Sequence, residues 1–199
     1  MIAYIVGNPI IVPLQAIASM VVQEDSPNFA AGTENEYLTG LVTKPGAEHI
    51  KASGITLPKY GEKYAHISIE GTDVNCDVAL GDSNEILRYS AGQYLGSSYP
   101  GFGGSILMAA HKTTHFMDLK SVQIGSVITV STTWGLYTYT VEDIRILNPA
   151  DYRQMYDPDA TEENLVLYTC YPFNMLGFSK QRYFVKAAYT SGPIVDIYE

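Results

Sequence analysis

From Tyr64 onward the chain is written in short apolar or alternating runs separated by turn residues, the pattern of half-buried strands. It predicts strands over residues 65–69, 75–80, 105–110, 126–131, 136–147, 165–169 and 182–189. Gly71-Thr72-Asp73, Gly81-Asp82-Ser83 and Trp134-Gly135 punctuate them. In the longest run, Tyr137, Tyr139 and Val141 alternate with Thr138, Thr140 and Glu142. Helix is sparse, with one or two turns expected at 83–89, 114–120 and 151–155. Repeats, low-complexity tracts and linkers are lacking. The pattern predicts a mostly-β single domain, a barrel or a sandwich.

The first 58 residues differ in texture. Hydrophobic residues fill sixteen of the first twenty-three positions, and no charge precedes Glu24. That length would suit a membrane span. Gly7-Asn8-Pro9 and Pro13 interrupt it, however, and no Lys or Arg flanks it. Two short strands, or a strand and a helix docked on the domain, fit the segment, and so does an anchor lying upstream. Residues 24–63 form a Gly- and Pro-punctuated lead-in, with a loop at 24–28 and a short helix opening at 33–37. The expected division is an N-terminal segment over 1–58, packed on a barrel over 59–199.

Composition narrows the function classes. The chain has 199 residues, with Lys plus Arg 12 against Asp plus Glu 21, a formal net charge of −9. So acidic a balance excludes phosphate-backbone binding as the main task, and no nucleic-acid partner is expected. A domain of this length needs neither disulfides nor a metal to fold. Two cysteines, Cys76 and Cys170, form no CxxC pair.

Three candidates for chemistry stand at strand ends. The apolar run Leu165-Val-Leu-Tyr-Thr169 leads to Cys170, and Pro172 stops pairing just beyond. A thiol there sits on rigid backbone yet opens onto a loop, as a nucleophile should, although a core cysteine needs no such role. The run Ser105-Ile-Leu-Met-Ala-Ala110 leads likewise to His111. His115, four positions on, invites a metal reading, but no Glu-flanked helix motif accompanies the pair. Arg182 opens Arg182-Tyr-Phe-Val-Lys-Ala-Ala-Tyr189, and its permanent charge calls for an anion or a dipole. The reading is one rim where His111, Cys170 and Arg182 meet. A papain-like hydrolase would place its Cys early and its His late, the reverse of the order here. A non-catalytic cell-surface binding or adhesion barrel is the alternative from another class.

These residues resemble a known family. Leu167-Tyr-Thr-Cys170-Tyr-Pro-Phe173, followed by Arg182-Tyr183, is similar to the active-site signature of the sortases, with Val166 in place of a usual Thr. Gly104-Ser-Ile-Leu-Met-Ala-Ala-His111, then Phe116, Leu119 and Val122-x-Ile124-Gly125, resembles the family's strand-His-loop. Asn148-Pro149-Ala150-Asp151 is similar to a recurrent Pro-x-Asp turn, and Tyr94, Pro100 and Gly103-Gly104 to the Gly-rich approach to the His. The likeness runs from about Lys59 to Tyr189 and is strongest to class D. Ala110, Lys112 and Gln181 depart from the usual Gly, Arg or Asn, and Lys.

The resemblance implies a closed barrel of about eight strands with a few short helices. It implies a cysteine transpeptidase that cuts a Leu-Pro-x-Thr-Gly-like sorting signal between Thr and Gly. The acyl group passes through a Cys170 thioester to an amine of a cell-wall precursor or a pilin. His111 is the implied acid and base, and Arg182 the implied stabiliser of the carbonyl oxygen. Thr169 is implied to position the substrate, and the apolar loop 171–181, with Tyr171, Phe173 and Leu176, reads either as core packing or as the substrate-binding wall of a groove for the Leu and Pro of the signal. The partners are then a sorting-signal peptide and an amine, at the outer face of the cytoplasmic membrane of a Gram-positive bacterium. The protein would be held by an N-terminal anchor and would act as a monomer. No cofactor is required by acyl transfer of this kind. Ca²⁺ is the one candidate ion, at the acidic stretch Asp157, Asp159, Glu162 and Glu163. The spacing there matches a solvated loop better than a calcium loop.

Overall fold

The computed structural model describes residues 48–174 and 179–197. The elements expected before residue 48, and Leu176, lie outside them. Ten strands follow in order: β1 (His49–Lys51), β2 (Lys63–Ile69), β3 (Asn75–Leu80), β4 (Ala91–Gln93), β5 (Ser105–Ala109), β6 (Val127–Thr132), β7 (Leu136–Leu147), β8 (Asn164–Tyr171), β9 (Gln181–Ser191) and β10 (Ile194–Asp196). Alternation decides which face each strand buries. In β2, Ala65, Ile67 and Ile69 are buried while His66 and Ser68 are partly exposed. In β7, Tyr137, Tyr139 and Val141 turn inward and Thr138 and Thr140 outward.

Eight strands close into a barrel in the order β2-β3-β4-β5-β8-β9-β7-β6, with β6 returning to β2. Closure leaves no open sheet edge. Most neighbours are antiparallel, but β3 with β4 and β5 with β8 run parallel. Strands β8 and β9 pair in register from Asn164↔Ala188 to Tyr171↔Gln181. Outside the barrel β1 and β10 form a parallel pair, and Ile50, Ala52 and Ile55 pack against the main core. Residues from 48 onward of the expected N-terminal segment therefore lie on the barrel, ahead of the 58/59 boundary read from the sequence.

Inward side chains from all eight barrel strands make one core, which includes Ile67, Val78, Ile106, Tyr139, Leu165 and Val185. At one end Tyr64 stacks on Trp134 with ring centroids 5.7 Å apart, and the indole N–H of Trp134 donates to the Pro100 carbonyl at 2.9 Å. A second cluster lies outside the wall. Leu107, Val166 and Phe184 on the outer faces of β5, β8 and β9 are covered by Met155 and Tyr156 from the β7–β8 connection.

Strand β4 was absent from the pattern. Ala91-Gly92-Gln93 carries no β-branched or aromatic residue, yet all three are buried. A side chain at Gly92 would meet the Gly81 carbonyl oxygen at 2.3 Å, so close approach of two backbones, not side-chain propensity, makes this strand. The expected helices shrink to short 3₁₀ turns at Ile86–Arg88, Leu119–Ser121 and Pro149–Gln154.

Candidate active site

Two adjacent strand pairs place the three candidate side chains. Cys170 on β8 faces Arg182 on β9 as a direct cross-strand partner. On the other side of β8, the parallel pairing with β5 ends at Ala109↔Tyr168. Two residues past that last pair on each strand stand His111 and Cys170. The three lie at one rim of the barrel, where β5, β8 and β9 end or begin.

The strand ends are tied together. Ala110 N–H donates to the Tyr168 carbonyl at 3.4 Å, and the Thr169 hydroxyl donates to the Ala110 carbonyl at 2.7 Å. Thr169 is only 2% exposed. Its side chain belongs to the joint beneath His111 and not to a substrate surface. Tyr171 and Phe173 are also engaged elsewhere. Both meet the ring of Tyr183, with centroids 6.4 and 5.2 Å away, and Phe173 packs on the barrel core. They plug the barrel end beneath the rim.

Arg182 is held by its own connection. Its Nη1 donates to the carbonyls of Ser179 at 2.9 Å and Gln181 at 3.0 Å. These bonds aim a planar fork whose other N–H groups project from the strand. The two cysteines differ sharply. Cys76 is buried, and loss of hydration pushes its thiol up to about 12, so it stays protonated and unreactive. Cys170 is partly exposed and, like Cys76, is a free thiol.

Burial lowers the pKa of His111, with the Arg88 guanidinium adding to the effect. The imidazole is therefore neutral at physiological pH, and its Nε2 is buried without a hydrogen-bond partner. Behind it His115 is 6% exposed. Burial first, and then His111, pushes its pKa down to about 4. No group of three or more His, Cys, Asp or Glu able to hold an ion occurs among the described residues.

Sequence reading missed Arg88, Lys112 and Ser179. Lys112 follows His111 and is 6% exposed, and its ammonium donates to the Pro172 carbonyl at 2.7 Å and the Ser179 hydroxyl at 2.8 Å. The departure from the usual residue after the His was its only signal. Arg88, Lys112 and Arg182 thus gather cations at this rim of a chain whose formal net charge is −9.

The acidic stretch has another use. Glu163 accepts from the backbone N–H of Gly101 at 3.0 Å and of Gly103 at 3.1 Å, and from the Tyr139 hydroxyl at 2.6 Å. It ties the Gly-rich approach of β5 to the wall. Asp159 N–H donates to the Asp157 carboxylate at 3.0 Å, a local turn. Beside the rim a cavity of about 400 Å³ opens on the outer face of β5 and β8, lined among others by Asp82, Tyr94, Leu107, Arg153, Tyr156 and Tyr168. Tyr168, one wall of the cavity, shares its strand face with Cys170 and lies within electrostatic reach of Asp82, Arg182 and Cys170.

Known proteins share this fold. The family model for the sortase domain matches residues 67–190. Sortase D of Bacillus subtilis (strain 168) is 24% identical over 143 residues, covering 72% of each chain. In solved structures, the fold is shared with a Clostridium perfringens Sortase D5 transpeptidase at TM-score 0.60 and 24% identity, covering 68% of this chain and 83% of that one. It is shared also with sortase E from Streptomyces avermitilis at TM-score 0.58 and 24% identity, covering 67% and 91%. The barrel, its strand order and the matched domain establish that the chain belongs to the sortase family of cysteine transpeptidases.

Proposed function

We propose that Cys170, His111 and Arg182 carry out the transpeptidation and that the substrate is a Leu-Pro-x-Thr-Gly-like sorting signal. The observation that carries this reading is the pairing of Cys170 with Arg182, with His111 two residues past the end of the neighbouring parallel pair. In the first half-reaction the Cys170 thiolate attacks the Thr carbonyl carbon, and a thioester forms as the Thr–Gly bond breaks. His111, neutral at rest, takes the thiol proton of Cys170 as the thiolate forms and gives that proton to the departing Gly amine. It then takes a proton from the incoming amine, which displaces the thiolate and forms the new amide. Arg182 donates to the carbonyl oxygen while it carries negative charge. The low pKa of His111 suits the second half, where a neutral base is needed.

The cavity beside Tyr168 takes the residues that precede the scissile bond. Its Tyr and Leu walls match the Leu and Pro of the signal, and the strand face shared by Tyr168 and Cys170 sets the direction of the peptide. The Thr-Cys-Tyr-Pro-Phe and Arg-Tyr signature, with the Sortase D relative, supports class D. The acceptor is an amine of a cell-wall precursor or a pilin, and no cofactor takes part. The enzyme works as a monomer at the outer face of the cytoplasmic membrane of a Gram-positive cell, tethered through sequence that precedes the barrel.

The test is incubation with a library of Leu-Pro-x-Thr-Gly-like peptides and a simple amine, read by mass spectrometry. The expected products are peptide cut after Thr and joined to the amine, and a peptidyl adduct on Cys170. Labelling of Cys76 and Cys170 alike by a thiol probe at neutral pH, with no cut peptide, would instead favour the binding-module reading.

A further inference from the structure

Lys112 is a buried cation without an acidic partner among the described residues. Elsewhere on the barrel a sheltered cation is neutralised in the ordinary way, as Lys63 is by Asp77 at 3.2 Å. The charged groups that act on Lys112 are Cys170 and Arg182, one opposite in sign when ionised and one alike. Its hydrogen bonds go to neutral oxygens only, the Pro172 carbonyl and the Ser179 hydroxyl. A buried ammonium left so costs stability. The arrangement makes sense where negative charge forms on a neighbour during the working cycle.

The positions of those two oxygens sharpen the point. Pro172 is the second residue after Cys170, at the place where β8 ends. Ser179 offers its hydroxyl to Lys112 and its backbone carbonyl to Arg182 Nη1. Lys112 itself follows His111. One ammonium therefore joins the His-bearing segment, the end of the Cys strand and the carbonyl that aims the Arg fork. Lys112 lies 60 and 67 residues in sequence from the two groups it joins.

We infer that Lys112 is a positioning residue for the transpeptidation, holding the chain after Cys170 through Pro172 and the aim of Arg182 through Ser179 while presenting positive charge to the Cys170 sulfur. The inference rests on the catalytic reading of His111, Cys170 and Arg182 proposed above. A misplacement of about 1 Å in such a site costs on the order of 10²-fold in rate. The ammonium contributes both geometry and charge, whereas the Ser179 hydroxyl contributes geometry alone.

The experiment uses the full chain as wild type, Lys112→Met, Lys112→Arg and Ser179→Ala. Each is assayed on the Leu-Pro-x-Thr-Gly peptide that wild type cleaves fastest, by iodoacetamide alkylation of Cys170 at pH 7.5, and by thermal melting. Lys112→Met is expected to lower kcat about 30- to 100-fold with KM changed less than about threefold, and to slow alkylation several-fold because a cation beside a thiolate is lost. Lys112→Arg should recover most of both. Ser179→Ala should lower kcat about fivefold with alkylation unchanged. A Lys112→Met enzyme within about threefold of wild type in kcat overturns the inference. So does a loss that follows the melting temperature alone, with alkylation at the wild-type rate. If Lys112→Met does not fold, wild-type kcat in Ser179→Ala overturns it. Failure of the catalytic reading looks different: wild type itself would then cut no Leu-Pro-x-Thr-Gly peptide and carry no peptidyl adduct on Cys170, and the inference would fall with it.

Discussion

The two ends of the parallel β5–β8 pair have opposite chemistry. At the end where Ser105 faces Asn164, most polar groups are matched within the protein, the Tyr137 hydroxyl beside Gly101 being the buried exception. The Ser105 hydroxyl donates to the Asn164 amide oxygen at 2.7 Å, and Glu163 receives two backbone N–H groups and a hydroxyl. At the end where Ala109 faces Tyr168, His111 Nε2, Thr114 Oγ1 and His115 Nε2 are buried without partners, and Lys112 has neutral oxygens only. Buried polar atoms are nearly always paired in native proteins. The same two strands thus end in a finished scaffold on one side and in unspent hydrogen-bonding capacity on the other. Polar satisfaction is more nearly complete at the end that holds than at the end proposed to react.

The sharpest way to break this comparison is to remove the thiol at the unspent end. Cys170→Ala is expected to abolish peptide cleavage with little change in melting temperature, whereas Cys76→Ala should keep nearly full turnover. The second thiol is held protonated in the core, so it has no nucleophile to lose. Comparable losses of activity from the two changes would give both cysteines a structural role and erase the contrast.

Arg182→Lys comes next in size. It keeps the charge but not the planar fork, and a point ammonium cannot hold the Ser179 and Gln181 carbonyls while reaching a substrate oxygen. Turnover should fall about 10²–10³-fold, the usual cost of one lost oxyanion donor. Near-normal turnover would reduce Arg182 to a source of positive potential, and a large fall in melting temperature would make it part of the scaffold.

Much of this division was legible in the sequence, and its limits were physical. Strands Asn75–Leu80 and Leu136–Leu147 matched the predicted bounds because alternation is a local property. The order His111, Cys170, Arg182, each bordering an apolar run, was local too. Strand β4 was not, because Gly92 is chosen by the Gly81 backbone that crosses it. Glu163 read as one more acid in a solvated loop, since its donors at Gly101 and Gly103 lie sixty residues away. Thr169 read as a substrate contact because it adjoins Cys170, the proposed nucleophile. The pleat instead sends it inward to the Ala110 carbonyl. Lys112 and Ser179 had no local signal for the partners that make them informative.

A smaller effect than either active-site change tests the unspent end through stability. His115 has its pKa pushed from the ordinary 6.5 to about 4 in the folded protein. The folded state then binds fewer protons than the unfolded one between those values. Its stabilising share is fully present above about pH 6.5 and is lost as pH falls toward 4, amounting to about 3 kcal/mol in all. The lowered pKa of His111 acts in the same direction. Replacing His115 by Gln should flatten the fall of unfolding free energy between pH 7 and 4, measured by denaturant titration. Equal slopes for wild type and the variant would show that His115 is solvated after all.

The smallest expected effect belongs to the satisfied end, and its smallness is the point. Glu163→Ala strands two backbone donors and the Tyr139 hydroxyl, and should cost about 3 kcal/mol. Glu163→Gln is a gentler probe. The amide oxygen can take the glycine N–H groups, and the Tyr139 hydroxyl can turn to accept from the amide nitrogen. The exchange also removes a charge that burial penalises. Desolvation raises the pKa of Glu163 despite its three donors, so wild type loses stability as pH rises through that folded value, and the Gln variant has no such fall. The two effects oppose each other at neutral pH, leaving a net cost of about 1 kcal/mol. Melting curves at pH 7 and turnover per folded molecule check this, with turnover expected to stay within about twofold of wild type. A loss of turnover in Glu163→Gln beyond what unfolding explains would carry the chemistry across the length of β8, and the two ends could no longer be treated as separate.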